Sequence, residues 1–398
     1  MGQRRLLIAF AGTFSLAGAV IAFADLNPEV QLGARAVINA AADVEDGEAA
    51  EAVADFADTG LNVGFRQKLY GDFRARMVVG FQFPEAGSPL GPVFFDQVFI
   101  KLGSKSNVLE IGRSRVASTL QEFPTLRDDD SLEYADVLNP SSGGDSRESQ
   151  YGETIRLSRI FSQRFWLTGH GEHMPAAPPA AATAAADYGF NAGGASFVYA
   201  VPESQRWNRQ VLERLGVGFF GYYVTRERYR SFTDKVAKNV LGAVTVNVCP
   251  DPVHFADLRH QSIYNPGFAE VTGAPGADYY SLATAKSYAA FTSLRYLYRR
   301  YERPSLQASV GFGYKTFPDF EDETDQMLPL ANLFYRLGAG FDVGVQYRYE
   351  RFTGDLAAVR GDGKHIVELG LVYSVEQSWN RQFDDRDSLL NLEHGYIP

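Results

Sequence analysis

Apolar and polar residues alternate strictly in many segments of the chain, and the alternation keeps the same sense within each segment. In the segment 340–351 the apolar positions, separated by charged, amide or glycine residues, are Phe341, Val343, Val345, Tyr347 and Tyr349. A period of two residues places each set on one face of a β-strand. The pattern therefore predicts strands with one apolar face and one polar face.

About sixteen segments carry this pattern, and most approach the roughly 9–11 residues that a tilted strand needs to cross a bilayer. The predicted strands are residues 29–40, 59–69, 73–83, 93–103, 107–114, 152–160, 165–173, 187–200, 210–224, 239–249, 254–264, 284–298, 304–316, 328–336, 340–351 and 364–377. The chain is thus expected to consist mainly of strands.

The connections between these segments alternate between long and short. Nothing in a soluble β-sandwich requires long and short connections to alternate. An outer-membrane barrel, in contrast, has short turns at its periplasmic end and long loops outside. In lipid the apolar faces look outward, and closure leaves no unpaired strand edge. We therefore expect an all-β fold: a transmembrane, antiparallel, up-and-down β-barrel of about 16 strands with both termini on the periplasmic side.

The N-terminal residues have the pattern of a secretory signal peptide. Arg4 and Arg5 precede an apolar run that ends in Ala22-Phe23-Ala24, which is the order of charged, apolar and small residues in a cleaved signal. We predict a signal peptide over residues 1–24 and the barrel over residues 25–377. An uncleaved membrane anchor is the alternative.

Composition and charge narrow the classes of function. The chain contains 29 Phe, 21 Tyr and 38 Gly, and without the predicted signal peptide it carries 36 basic and 48 acidic residues, a net charge of −12. This acidic balance argues against nucleic acid as a partner. Cys249 is the single cysteine, which excludes an internal disulfide and a cysteine-based metal site.

The longest predicted connection, residues 115–151, has no regular period. It carries eight acidic and three basic residues, a net charge of −5. Long connections without secondary structure are uncommon in compact domains unless they have a function. We predict that this segment folds into the barrel lumen and sets the size and charge of a pore. A solvated loop on the outside is the alternative.

The sequence gives little support for catalysis or metal binding. His170, Glu172 and His173 stand near one another, but no nucleophile lies at a recognisable spacing from them. The run Asp128-Asp129-Asp130 lacks the spaced ligands and the glycine of a dedicated calcium loop. We therefore expect no enzyme activity, no metal and no cofactor.

Short motifs at both ends of the long connection resemble Gram-negative general porins, which are sixteen-strand outer-membrane channels and usually trimers. The motifs are Val108-Leu109-Glu110-Ile111-Gly112-Arg113 before the connection and Glu153-Thr154-Ile155-Arg156-Leu157 after it. The resemblance implies that the third outside loop folds inward. Its carboxylates would then face a cluster of arginines on the opposite wall.

The resemblance also implies which residues line the constriction. The acidic candidates on the loop are Glu122, Asp128, Asp129, Asp130, Glu133 and Asp136. The basic candidates on the wall are Arg35, Arg66, Arg74, Arg76, Arg113 and Arg156. Arg113 shares a strand face with Leu109 and Ile111 unless a β-bulge intervenes.

The last predicted strand resembles the signal that the barrel-assembly machinery recognises in such proteins. Its polar, glycine, aromatic and apolar positions are Glu368, Gly370, Tyr373 and Val375. Members of the family usually end at this strand, whereas this chain continues through residues 378–398. We expect the extension to lie in the periplasm, either as a disordered tail or as a docking peptide for a periplasmic partner or a neighbouring subunit.

Together these features predict an outer-membrane porin: a water-filled channel for passive diffusion of small hydrophilic solutes and ions. Sixteen strands leave an aqueous lumen, and charged groups in a pore set its ion preference; the acidic loop favours a mild preference for cations. Expected partners are outer-membrane lipid, lipopolysaccharide, the assembly machinery and two further copies in a homotrimer. The alternative is a structural barrel that anchors a periplasmic or surface partner through its tail and loops.

Overall fold

The fold comes from a computed structural model, and most of the residues it describes lie in β-strands. The described residues are 27–45, 51–55, 59–83, 94–115, 151–162, 164–173, 192–201, 211–224, 235–267, 286–300, 303–320, 323–338, 340–354, 356–357, 361–381 and 383. No helix among them has both the length and the apolar character of a membrane span. The predicted signal peptide, residues 1–24, lies outside the described residues.

The strands follow one another along the whole described chain. They are β1 (Glu29–Glu45), β2 (Glu51–Asp55), β3 (Thr59–Tyr70), β4 (Phe73–Phe83), β5 (Phe94–Gly103), β6 (Asn107–Arg115), β7 (Tyr151–Phe161), β8 (Phe165–His173), β9 (Ala192–Ala200), β10 (Leu212–Val224), β11 (Lys235–Pro250), β12 (His254–Asn265), β13 (Ser287–Arg300), β14 (Arg303–Thr316), β15 (Asp325–Gly338), β16 (Phe341–Phe352) and β17 (Gly363–Trp379). Residues 354 and 356–357, between β16 and β17, are helical.

The sheet closes on itself through antiparallel pairs. β1 pairs with β17, from Val30 opposite Trp379 to Glu45 opposite Lys364. β2 and β3 both pair with β1 and so occupy a single position in the wall. The described strands therefore form a closed, antiparallel, up-and-down barrel with 16 positions, which confirms the predicted fold class.

The first hairpin differs most from the prediction. β1 continues to Glu45, although the alternation suggested an end at residue 40, and β2 is an additional strand. Residues 39–43 pair with residues 51–55, and both stretches are rich in alanine and acidic residues. Such residues disfavour strands in isolation, but backbone pairing with a neighbouring strand overrides that preference.

The two faces of the strands are inverted relative to a water-soluble barrel. On β7, Ile155 and Leu157 are 42% and 60% exposed, whereas Arg156 and Ser158 are 6% and 4% exposed. On this part of β7 the polar side chains therefore point inward and the apolar ones outward. This distribution suits a barrel with hydrocarbon around it and a polar lumen inside it.

One end of the barrel, which we call the turn end, has short connections. Six of its seven connections span two or three residues, and the exception joins β9 to β10. Gly71 in the β3–β4 turn has a φ of 59°, a left-handed conformation that glycine adopts without a steric penalty. Before β12, the backbone N–H groups of His254 and Val253 donate to Asp251 Oδ1, and these bonds lower the pKa of the Asp251 carboxyl.

The opposite end, which we call the loop end, has the longer connections. Residues 116–150 join β6 to β7 there, and the β8–β9 and β12–β13 connections are also long. β1 begins and β17 ends at the turn end, because both pair antiparallel along their full length. The predicted alternation of long and short connections is confirmed, apart from the β9–β10 connection.

Outward-facing aromatic side chains gather near both ends of the barrel. Near the loop end, Tyr264 and Tyr288 stack with their ring centroids 4.8 Å apart. Near the turn end, Phe341 and Tyr373 pack with centroids 4.6 Å apart. Aromatic side chains favour the boundary between hydrocarbon and water, so these pairs mark the two edges of the apolar band.

Candidate functional site: the inner wall of the barrel

Seven ionisable side chains follow one another across seven hydrogen-bonded strands on the inward face. The charged row, as we call it, consists of Glu29, Arg66, Arg76, Lys101, Glu110, Arg156 and His170. Each member is the direct cross-strand partner of the next, and such partners have Cα atoms roughly 4.5–5.5 Å apart. The row therefore places a continuous line of charge on the wall formed by β1 and β3–β8.

Glu110 lies at the centre of the strongest contacts in this row. Its Oε2 is 3.1 Å from Lys101 Nζ, and its Oε1 is 3.1 Å from Arg156 Nη1. Glu110 is 3% exposed, and a buried carboxylate is tolerated when cations compensate it. At the start of the row, Glu29 Oε1 lies 3.6 Å from Arg66 Nη1. The carboxylates thus offset part of the repulsion among the adjacent cations.

His170 ends the charged row beside Arg156 and packs on a glycine of the next strand. A Cβ atom added at Gly194 would lie 2.9 Å from His170 Cε1 and would also meet the backbone of Phe219. Glycine therefore leaves the space that the imidazole ring occupies. Within the described ranges, no group of three or more His, Cys, Asp or Glu side chains could hold a metal ion.

A second line of polar side chains crosses the other half of the barrel. The Asp257 row consists of Asn247, Asp257, Arg295, Ser309, Asn332, Gln346 and Glu368, on β11–β17. All seven are inward, and most are nearly inaccessible to solvent. The row carries two carboxylates and one guanidinium, so it is less basic than the charged row.

Asp257 and Arg295 form a two-pronged ion pair in this row. Arg295 Nε donates to Oδ1 at 3.2 Å, and Arg295 Nη2 donates to Oδ2 at 2.6 Å. Arg259 Nη2 lies 3.5 Å from the same Oδ2. Parallel hydrogen bonds of this kind fix both charge and orientation. Further along the row, Gln346 Nε2 donates to Glu368 Oε2 at 2.8 Å.

An apolar patch interrupts the inner wall on the loop-end side of the Asp257 row. It consists of Leu241, Ile263, Ala289, Phe291, Leu328 and Leu330. Phe291 and Leu328 are fully buried. The sequence pattern did not reveal this patch, because the strands that carry it have apolar residues on both faces. The inner wall is therefore polar in part only.

Five of the six arginines predicted to line the constriction lie on the inward face, while their role in a constriction stays a prediction. They are Arg35, Arg66, Arg74, Arg76 and Arg156, on β1, β3, β4 and β7. The predicted acidic partners, Glu122, Asp128, Asp129, Asp130, Glu133 and Asp136, lie outside the described residues. Their position opposite the arginines therefore stays a prediction.

Arg113 is the exception among the predicted arginines. It lies opposite Val98 on one side and Glu153 on the other, and neither pairing shifts register along β6. Arg113 thus shares a face with Ile111, which is 37% exposed on the outer surface. Because no bulge intervenes in the pairing of β6, the prediction that Arg113 lines the pore is wrong.

Sequence reasoning missed several charged groups of the inner wall. Lys101, Glu110, Asp257, Arg259 and Arg295 all face inward, and each has an ion-pair partner on the inner wall. Their polar positions in the alternation could have assigned them to the inner face. Their partners could not have been found, since the register between strands is not visible in one sequence.

The four assembly-signal residues all lie on β17. Glu368 and Gly370 face inward, and Tyr373 and Val375 face outward. Tyr373 pairs with Ala36 of β1 across the closing contact of the barrel. The spacing of the signal thus corresponds to two inward and two outward positions on the closing strand. Recognition by the assembly machinery stays a prediction.

After β17 the chain turns toward the inner wall. Asn380 has a φ of 54°, and Arg381 Nε donates to the carbonyl oxygen of Phe383 at 3.2 Å. Phe383 is 6% exposed, and its ring centroid lies 4.2 Å from Arg66 Cζ and 4.9 Å from Arg74 Cζ. Phe383 thus contacts the inner wall, while residues 384–398 lie outside the described part of the chain and the predicted character of the extension, disordered tail or docking peptide, stays a prediction.

Comparison with solved structures shows the fold of outer-membrane porin barrels, whereas the sequence itself matches no protein family and no curated protein. The anion-selective porin from Comamonas acidovorans has a TM-score of 0.60 at 9% identity, covering 88% of this chain and 100% of that one. The outer membrane channel DcaP of Acinetobacter baumannii has a TM-score of 0.56 at 12% identity, covering 88% and 99%. OmpT of Vibrio cholerae, in its trimer form, has a TM-score of 0.53 at 9% identity, covering 88% and 100%.

Proposed function

We propose that the chain forms a water-filled channel in a Gram-negative outer membrane, through which small hydrophilic solutes and ions diffuse passively. The inverted barrel carries this proposal, because a closed sheet with charges inside and apolar side chains outside suits a pore in lipid. Barrels of this strand number are wide enough to leave an aqueous lumen. In this role the protein acts without catalysis, metal or cofactor.

We propose further that the connection 116–150 forms the constriction. It leaves the wall from β6 and β7, the two strands that carry Glu110 and Arg156 at the centre of the charged row. The acidic residues of the connection would then face the guanidinium groups of β3 and β4. Opposed charges across a narrow passage create a transverse field that orients polar solutes and sets ion preference.

The proposed mild preference for cations would come from the connection and not from the described wall. Basic residues outnumber acidic ones on the charged row, so the wall by itself favours anions. The connection carries a net charge of −5 over residues 115–151. Replacing Asp128, Asp129 and Asp130 by asparagine should therefore shift the channel toward anions.

Single-channel recording in planar bilayers tests both parts of this proposal. The wild-type protein should give stable open steps. Its reversal potential under a KCl gradient should lie closer to the equilibrium potential of potassium than to that of chloride. The triple asparagine variant should move the reversal potential toward chloride, whereas Asp362→Asn, an exposed carboxylate at the loop end, should change it little. An absence of open steps in the wild type would refute the channel and favour the structural alternative.

The same proposal includes assembly and partners. We propose a homotrimer surrounded by outer-membrane lipid and lipopolysaccharide, inserted by the barrel-assembly machinery, and the trimer form of the Vibrio cholerae neighbour supports the oligomeric state. Replacing Tyr373 and Gly370 together should reduce insertion in cells. Chemical cross-linking of native membranes should give a band at three times the monomer mass; a monomer alone would contradict the trimer.

A further inference from the structure

The chain beyond β17 has a fixed course at the turn end. Asn380 takes the left-handed backbone conformation, which asparagine tolerates better than most residues. The chain therefore changes direction directly after Trp379, the last residue of β17. The hydrogen bond from Arg381 Nε to the Phe383 carbonyl oxygen then fixes the position of the Phe383 backbone relative to Arg381. These features direct Phe383 toward the lumen.

Phe383 meets a concentration of positive charge on the inner wall. Arg66 and Arg76 are direct cross-strand partners on β3 and β4, and Arg74 lies two residues before Arg76. The Phe383 ring stacks over the guanidinium carbons of Arg66 and Arg74. The face of an aromatic ring attracts cations, more strongly where water is excluded. Burial of Phe383 at 6% exposure shows that the ring is covered.

An aromatic ring in this place has two physical consequences for ion passage. It occupies part of the cross-section at the turn end of the lumen. It also covers the faces of two guanidinium groups, which would otherwise attract anions from solution. Neither consequence requires any residue outside the described part of the chain.

We propose that Phe383 is a selectivity-determining residue at the turn-end mouth of the channel, where it shields Arg66 and Arg74 and narrows the passage. The proposal rests on the channel function proposed above. It adds a second control point at the opposite end of the barrel from the connection 116–150. It also assigns a function to the start of the C-terminal extension.

Conductance and selectivity of Phe383→Leu give the first test. Leucine keeps an apolar side chain but lacks the aromatic face, so single-channel conductance should rise and the reversal potential should shift toward chloride. The shift should be smaller when Phe383→Leu is made in an Arg74→Gln background, because one of the shielded cations is then absent. Phe312→Leu, the same chemical change on the exposed outer face, should leave both measurements unchanged. An unchanged conductance and reversal potential in Phe383→Leu would refute the proposal while leaving the channel function intact.

Limited proteolysis tests whether Phe383 contacts the inner wall, and it does so without a conductance measurement. Trypsin cleaves after Arg381, and the contact of Phe383 with the inner wall should protect that bond in the folded barrel. Phe383→Leu should be cleaved after Arg381 several-fold faster than the wild type, and Phe312→Leu should match the wild type. Equal cleavage rates in all three proteins would overturn the proposal. If no channel forms, the proteolysis still decides whether Phe383 docks.

Discussion

Replacing Glu110 by glutamine tests whether the charged row stabilises the barrel wall. The substitution keeps the shape of the side chain and removes its charge. Glu110 is 3% exposed and lies 3.1 Å from both Lys101 Nζ and Arg156 Nη1. The variant therefore leaves two cations on adjacent strands without the carboxylate between them.

The expected loss of stability follows from these distances. At an effective dielectric constant of about 20, two unit charges 3.1 Å apart attract by about 5 kcal/mol. Desolvation of the ions offsets much of this attraction, and removing one partner of a buried pair typically costs about 3–5 kcal/mol. Lys101 is 17% exposed, so water screens it in part. We expect Glu110→Gln to lower the free energy of unfolding by about 3 kcal/mol.

Urea unfolding of the barrel in detergent micelles, followed by tryptophan fluorescence, measures this loss. The matched control is Asp342→Asn, which breaks a well-aligned pair with Arg336 at 2.8 Å. Arg336 is 40% exposed, and exposed pairs contribute at most about 1 kcal/mol. A Glu110→Gln variant that loses no more stability than Asp342→Asn would show that the charged row is solvated and that the burial argument is wrong.

Two further substitutions probe other parts of the inner wall. Asp257→Asn should cost about 3 kcal/mol, because it leaves the buried Arg295 guanidinium without its carboxylate, and it should also shift the reversal potential toward chloride because the lumen gains positive charge. Gly194→Ala should cost roughly 1–3 kcal/mol, since the added Cβ meets His170 and a backbone carbonyl. Gly169→Ala is its control, with nothing within 4 Å of the added Cβ, and should change stability by less than about 0.5 kcal/mol. Urea unfolding measures both stabilities, and equal losses in the two glycine variants would contradict the packing argument.

Alternation predicted the wall of the barrel because it reports directly on the environment of each face. On β14, for example, the polar side chains of Ser309 and Lys315 are buried on the inward face, whereas Val310 and Phe312 are 54% and 50% exposed on the outer face. The parity of connection lengths predicted which end has the short turns. The same alternation had already placed Arg113 on the apolar face with Ile111, and the family resemblance was the reason for assigning it to the pore.

The rest of the site depends on information that one sequence does not contain. Glu110 and Arg156 are 46 positions apart, and only the register of β6 against β7 brings them together. β2 pairs through its backbone and carries little alternation. Phe383 looks like part of a polar tail in the sequence, because the cations that hold it belong to β3 and β4. Contacts between residues far apart in the sequence decide all three cases.

A barrel whose interior is largely polar lacks much of the apolar core that stabilises most folds, and this links stability to selectivity in the proposed channel. The cross-strand ion pairs of the inner wall contribute to holding neighbouring strands in register, and in the proposed channel the same charges would set the field that a solute crosses. Substitutions at Glu110 or Asp257 should therefore change stability and ion preference together. Phe383 lies after the last strand and pairs with none, so its replacement should change ion preference with little loss of barrel stability. Both classes of variant can be compared in the same unfolding and reversal-potential assays. The comparison would separate side chains that stabilise the barrel wall from side chains that affect ion preference alone.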